Sequence, residues 1–222
     1  MFTFKTESGE GRGYLAVPAA GSGPGVLVLH AWWGLTPFFT SVCDRLAEAG
    51  FVALAPDLHH GQTAATVEEA EALVKQSEGP NQARTQAVAA SALAQLRAHT
   101  AVQGTGVGVV GFSMGAAWAI VLANQAPQDI AAVVLFYGTY SPDFTPARAA
   151  FLGHFAESDE WEPLEGVREM EAALRAAGRE VTVHLYPNTG HWFFEADRPE
   201  AYKREAAELA WTRTVEFLRS RL

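Results

Sequence analysis

Gly106-Val107-Gly108-Val109-Val110-Gly111-Phe112-Ser113-Met114-Gly115-Ala116-Ala117-Trp118-Ala119 is the stretch that decides the fold. Its first half is an unbroken apolar run, the pattern of a strand covered on both faces. Its second half is rich in small residues with good helix propensity. Between them Gly111–Gly115 spells G-x-S-x-G. A serine at a sharp strand-to-helix turn projects its hydroxyl from the C-terminal edge of the sheet. The flanking glycines are required because strand and helix crowd together there. The helix that follows aims its partly positive N-terminus at the same point. Ser113 is therefore a candidate nucleophile. Gly106–Gly111 also reads G-x-G-x-x-G, but a dinucleotide fingerprint follows a strand and opens a helix, whereas here the intervening valines are the strand.

Outward from this turn, apolar runs alternate with helical stripes. Val26–His30, Phe51–Ala55, Ala132–Tyr137, Ala150–Phe155 and Val181–Tyr186 read as further strands. Phe38/Val42/Leu46, Val67/Ala70/Leu73, Val88/Leu93/Leu96, Val167/Met170/Leu174 and Ala207/Trp211/Leu218 fall at helical spacing. Such alternation predicts an α/β fold, a mainly parallel sheet with helices on both faces. Arg12–Val17 adds an antiparallel edge strand. With 222 residues, no repeat and no linker, residues 1–222 read as a single domain.

Serine needs a base within hydrogen-bond reach. Of seven histidines, His191 sits in Tyr186-Pro187-Asn188-Thr189-Gly190-His191, a turn after the last strand. That is the edge where α/β sheets carry their sites. His30 ends a strand and, with His59 and His60, lies near the site without being the base. His154 and His184 fall inside strands. The acid falls between serine and histidine in chain order. Asp159 follows the strand Ala150–Phe155, and Asp143 and Glu157 are the alternatives.

The formal net charge of −9 is a poor match for nucleic acid. No apolar run approaches the ~18 residues of a membrane span, and the N-terminus has no signal pattern. The single cysteine, Cys43, excludes an intramolecular disulfide and sits mid-helix as a small buried residue. A cytoplasmic protein acting on a small molecule, without nucleic acid or membrane partner, as monomer or small homo-oligomer, is the expectation.

Taken together, His30–Leu35, Ala55–Leu58, Gly111–Gly115, Gly153–Pro163 and Tyr186–Phe193 resemble the dienelactone hydrolase family, from about Gly13 to Leu218. The resemblance implies an α/β-hydrolase fold without a large cap and a triad of Ser113, Asp159 and His191. It implies an oxyanion hole from the backbone N–H groups of Trp32 and Met114, with no metal or organic cofactor. Three positions depart from the pattern. Dienelactone-cleaving members use cysteine where Ser113 stands, glutamate where Ala31 stands, and a carboxylate-binding arginine where Glu195 stands. An acid at 195 is expected to repel an anionic substrate. Among the aromatic residues flanking the site, Trp33, Phe38, Trp192 and Phe193 are the candidate substrate contacts. The expected activity is hydrolysis of a small ester or lactone through an acyl-enzyme. A thioesterase or acyltransferase on the same triad, or a non-catalytic binding protein of the same fold, are the alternatives.

Overall fold

The computed structural model describes residues 2–6, 9–76 and 79–222. The chain forms two compact units, Met1–Val107 and Gly108–Leu222. The first contains β1 (Phe2–Thr6), β2 (Gly9–Ala16), β3 (Gly23–Leu29), α1 (Pro37–Glu48), β4 (Val52–Pro56), α2 (Val67–Gln76) and α3 (Gln82–Ala98). Its strand order is β1-β2-β4-β3. β3 and β4 run parallel, while β2 pairs antiparallel with both β4 and β1. Val26–Leu29 and Val52–Ala55 are fully buried, which is why they read as continuous apolar runs. α1 begins with Pro37 at its first turn, where a missing N–H costs nothing. It buries Phe39, Val42, Cys43 and Leu46, and Gly50 at φ +98° follows its end. Arg12–Val17, expected at the edge, is instead interior: β1 lies outside it, with Phe4 facing in between exposed Thr3 and Lys5.

β5 (Val102–Phe112) leads the chain into the second unit, with α4 (Met114–Gln125), β6 (Ile130–Phe136), β7 (Ala150–Ala156), α5 (Leu164–Ala176), β8 (Val181–Tyr186) and α6 (Arg204–Arg221). The strand order there is β5-β6-β7-β8. β6, β7 and β8 are parallel, with Phe136 opposite His154 and His154 opposite His184. Because the strands point the same way, the loops after β6, β7 and β8 leave one edge together. α6 packs on β6 and β7 through Ala207, Ala210, Thr214 and Leu218.

Three buried histidines, His30, His59 and His154, are tied into this framework. His154 bonds the Tyr186 hydroxyl through Nδ1 (2.8 Å) and the Thr214 hydroxyl through Nε2 (3.0 Å), and Arg213 donates to Tyr186 (3.2 Å). His30 accepts the Leu58 N–H at Nε2 (3.0 Å) and donates from Nδ1 to the Ala31 carbonyl (2.6 Å). His59 donates from Nε2 to the Trp32 carbonyl (3.2 Å). Burial disfavours the imidazolium, lowering His30 and His59 to about 4 and pushing His154 well below its ordinary value. The unfolded chain binds these protons near pH 6.5, whereas the folded chain refuses them until about pH 4. Stability from these groups is thus complete above about pH 6.5 and is lost as pH falls from there. Urea midpoints should fall between pH 7 and pH 5, before unperturbed carboxylates titrate. A midpoint constant over that interval would contradict the buried neutral state.

Candidate active site

Ser113 occupies the junction of β5 and α4 with φ +51° and ψ −115°, a backbone pose disfavoured for any residue with a Cβ. Hydrogen bonds hold it there. The Ser113 N–H donates to the Phe136 carbonyl (2.9 Å), and its own carbonyl accepts from Ala116 N–H (2.8 Å). The glycines meet a steric demand. A Cβ on Gly111 would run into the Gly115 carbonyl and lie 2.7 Å from the Ala116 Cα; a Cβ on Gly138 would strike the Ser113 carbonyl. Met114 begins α4, as the sequence pattern requires.

His191 lies in the loop after β8 and Asp159 in the loop after β7. Ser113 Oγ is 3.0 Å from His191 Nε2, and His191 Nδ1 is 2.8 Å from Asp159 Oδ2. The carboxylate can only accept, so Nδ1 carries the proton and Nε2 presents a lone pair to the serine hydroxyl. The other Asp159 oxygen accepts the N–H groups of Trp161 (2.9 Å) and Glu162 (3.0 Å). Both members of this pair are sheltered: the His191 and Asp159 side chains are 5% and 2% exposed. A hydroxyl, an imidazole and a carboxylate in this sequence of contacts can transfer a proton from the hydroxyl and stabilise the resulting imidazolium.

The alternatives for the acid do other work. Exposed Asp143 accepts from the N–H and hydroxyl of Thr145, a local turn, and exposed Glu157 accepts the Asn188 N–H (3.0 Å). His30 and His59 brace the Ala31 and Trp32 carbonyls, holding the loop after β3. Cys43 is buried in α1, where burial pushes its thiol well up and leaves it protonated.

Two expected substrate contacts require correction. Trp33 is 2% exposed and Phe193 is fully buried, packed against Tyr137 and Tyr186; neither offers a surface to a ligand. Phe38 is half-buried and makes an edge contact with Phe39. Trp192, at φ +62°, sets its indole edge-on to His191 (4.9 Å) and 6.0 Å from the exposed Trp161. Both indoles line a cleft of about 490 Å³ beside His191, with Glu200 and Lys203.

The acid at 195 is also not where its sequence suggests. Glu195 is fully buried, and its Oε1 accepts the Tyr137 hydroxyl (2.9 Å). Tyr137 escaped the sequence reading, although it directly follows β6 at the edge where sites form. So did Glu162, whose carboxyl accepts the Thr139 hydroxyl (2.6 Å) and is raised by burial.

Comparison with known proteins places this architecture among α/β-hydrolase folds. A dienelactone hydrolase-like promiscuous phosphotriesterase from metagenomic libraries superposes with a TM-score of 0.86 at 23% identity, over 98% of this chain and 95% of the other. The profile of the dienelactone hydrolase family matches residues 12–222, and the chain belongs to that family. "Protein usf" of Aquifex pyrophilus is 31% identical, covering all of this chain and 98% of that protein. "Probable 2-oxo-3-(5-oxofuran-2-ylidene)propanoate lactonase" of Bradyrhizobium sp. is 30% identical over 96% of this chain and 90% of that one. The protein is a carboxylic ester hydrolase of the lactone and ester type. Among the described residues no helix is long and apolar enough to cross a membrane.

Gly111→Ala must move backbone rather than a flexible side chain, and should cost about 1–3 kcal/mol. Urea unfolding measures this directly; a variant as stable as the parent would show that the crowding is relieved without cost.

Proposed function

We propose that residues 1–222 act as one serine hydrolase domain that cleaves a small carboxylic ester or lactone through an acyl-enzyme. The observation that carries the reading is the continuous contact from Ser113 Oγ to His191 Nε2 and from His191 Nδ1 to Asp159. Ser113 Oγ bonds to the carbonyl carbon while its proton passes to His191. Asp159, acting through hydrogen bond and charge, keeps the imidazole in the required tautomer. The tetrahedral oxyanion rests on the backbone N–H of Met114 at the start of α4. The C–O bond to the alcohol then breaks as His191 gives its proton to the leaving oxygen. Water repeats the steps, frees the acid and restores Ser113. In a lactone the leaving oxygen stays tethered to the acyl group, so the product is one hydroxy acid.

Substrate selection is supported by the cleft beside His191. Its two indoles, Trp161 and Trp192, favour an apolar or aromatic group, and its volume suits a small molecule. Glu195, being buried against Tyr137, does not face that group. Rejection of an anionic substrate therefore does not rest on direct contact with this carboxylate.

Short p-nitrophenyl esters should be hydrolysed by the parent, with kcat/KM reduced at least about 10³-fold in Ser113→Ala, the scale on which triad members act. A fluorophosphonate should label the parent once, at Ser113. Unchanged turnover in Ser113→Ala would remove this serine from the chemistry. Absence of labelling at high probe concentration, with no turnover of any ester or lactone, would instead support a binding protein.

A further inference from the structure

Ser113 and His191 meet at 3.0 Å although they come from loops 78 positions apart. Between the strands that lead to them, β5 and β8, lie β6 and β7; β6 runs into Phe136-Tyr137-Gly138, and each of these residues touches the pair. The Phe136 carbonyl accepts the Ser113 N–H, and Gly138 lies so close to the Ser113 carbonyl that no Cβ fits. Tyr137 reaches the other partner. Its ring lies 5.0 Å from the His191 imidazole, inclined by 60°, and its hydroxyl donates to Glu195.

Tyr137 is itself held tightly. It is fully buried, sits at φ +36°, donates its N–H to the His154 carbonyl (2.9 Å), and packs edge-on against Phe193 (5.6 Å). A non-glycine residue at positive φ costs of order 1–3 kcal/mol and persists only where surroundings enforce it. Glu195 stands four residues after His191 in the same loop. Its N–H donates to the Trp192 carbonyl (2.9 Å), and its carbonyl accepts the Arg198 N–H (3.0 Å). The phenol therefore joins the end of β6 to the segment that carries the imidazole.

We propose that Tyr137 and Glu195 are positioning residues for His191: their buried hydrogen bond fixes the imidazole-bearing loop to the same strand end that fixes Ser113. This inference rests on the proposed Ser113 mechanism. Neither residue donates or accepts a proton in the reaction. The phenol stays protonated, because burial and the adjacent carboxylate both raise its pKa. The glutamate that replaces an arginine at this loop position thus serves the base from within.

The geometry makes the distinction testable. Tyr137→Phe keeps the ring against His191 and deletes only the bond to Glu195. Glu195→Leu deletes the acceptor at similar volume, and Glu195→Gln keeps an acceptor oxygen within reach of the phenol. Misplacement by about 1 Å can cost on the order of 100-fold in rate, so a loosened loop should cost at least about tenfold. We expect Tyr137→Phe and Glu195→Leu each to lower kcat on a p-nitrophenyl ester about tenfold or more, with KM within about twofold. Their combination should lose little beyond either alone, and Glu195→Gln should lose markedly less than Glu195→Leu. The downfield proton resonance of His191 Nδ1–H should broaden in Tyr137→Phe, a readout independent of turnover. Fluorophosphonate labelling of Ser113 should slow in parallel.

A Tyr137→Phe protein with parental kcat and an unchanged imidazole resonance would overturn the proposal. So would additive losses in the double variant. Should Glu195→Leu fail to fold, Tyr137→Phe and Glu195→Gln decide it. Failure of the parent mechanism would appear separately, as full activity in Ser113→Ala.

Discussion

The contact on which the site depends is that between Asp159 and the ring nitrogen of His191. One carboxylate oxygen accepts two backbone N–H groups of its own loop, so its position is set before the imidazole arrives. The other oxygen is left to face Nδ1 in a place nearly closed to water. Hydrogen bonds to a charged acceptor are roughly twice as strong as neutral ones, and removal from water strengthens them further. The consequence is directional. With Nδ1 committed, the far side of the ring presents a lone pair, and only a group along that line can use it. Ser113 is there because parallel strands discharge their loops along a single edge.

The remainder of the second unit reads as support for this line. β6 contributes a backbone acceptor to Ser113, and the residue that follows it, Tyr137, lies beside His191. β7 supplies Asp159 through the loop that follows it, and at its centre His154 ties the sheet to α6 through Thr214. Apolar packing alone would let the helix slide along the strands. A buried imidazole with two required partners allows one register, because any slip strands a polar group away from water.

The sequence made some of this legible and hid the rest for physical reasons. Val107–Phe112 followed by Gly115–Ala119 announced the turn because strand and helix impose different local patterns on adjacent residues. Asp159 and His191 could be placed on the correct edge, since strand ends are local features. β1 was missed: Phe2–Thr6 alternates over only five residues and finds its partner in β2. Glu195 reads as an acid facing the substrate, because the family that the sequence resembles holds a carboxylate-binding arginine at that loop position. Its burial depends on Tyr137, 58 residues earlier, and no periodicity links the two. Trp33 and Phe193 failed as substrate contacts for the converse reason. Neighbouring aromatic residues in a loop turn to opposite sides, and sequence does not say which side is core.

The bonds that impose the unusual backbone at residue 113 all run through main-chain atoms: its N–H to Phe136, its carbonyl to Ala116, and the glycine surfaces around it. None involves the side-chain oxygen. The scaffold therefore holds a socket whose shape is indifferent to what is plugged into it, provided the substituent is small. A thiol in place of the hydroxyl would leave every one of these main-chain bonds as it is, so the reacting atom can be exchanged without rebuilding the turn.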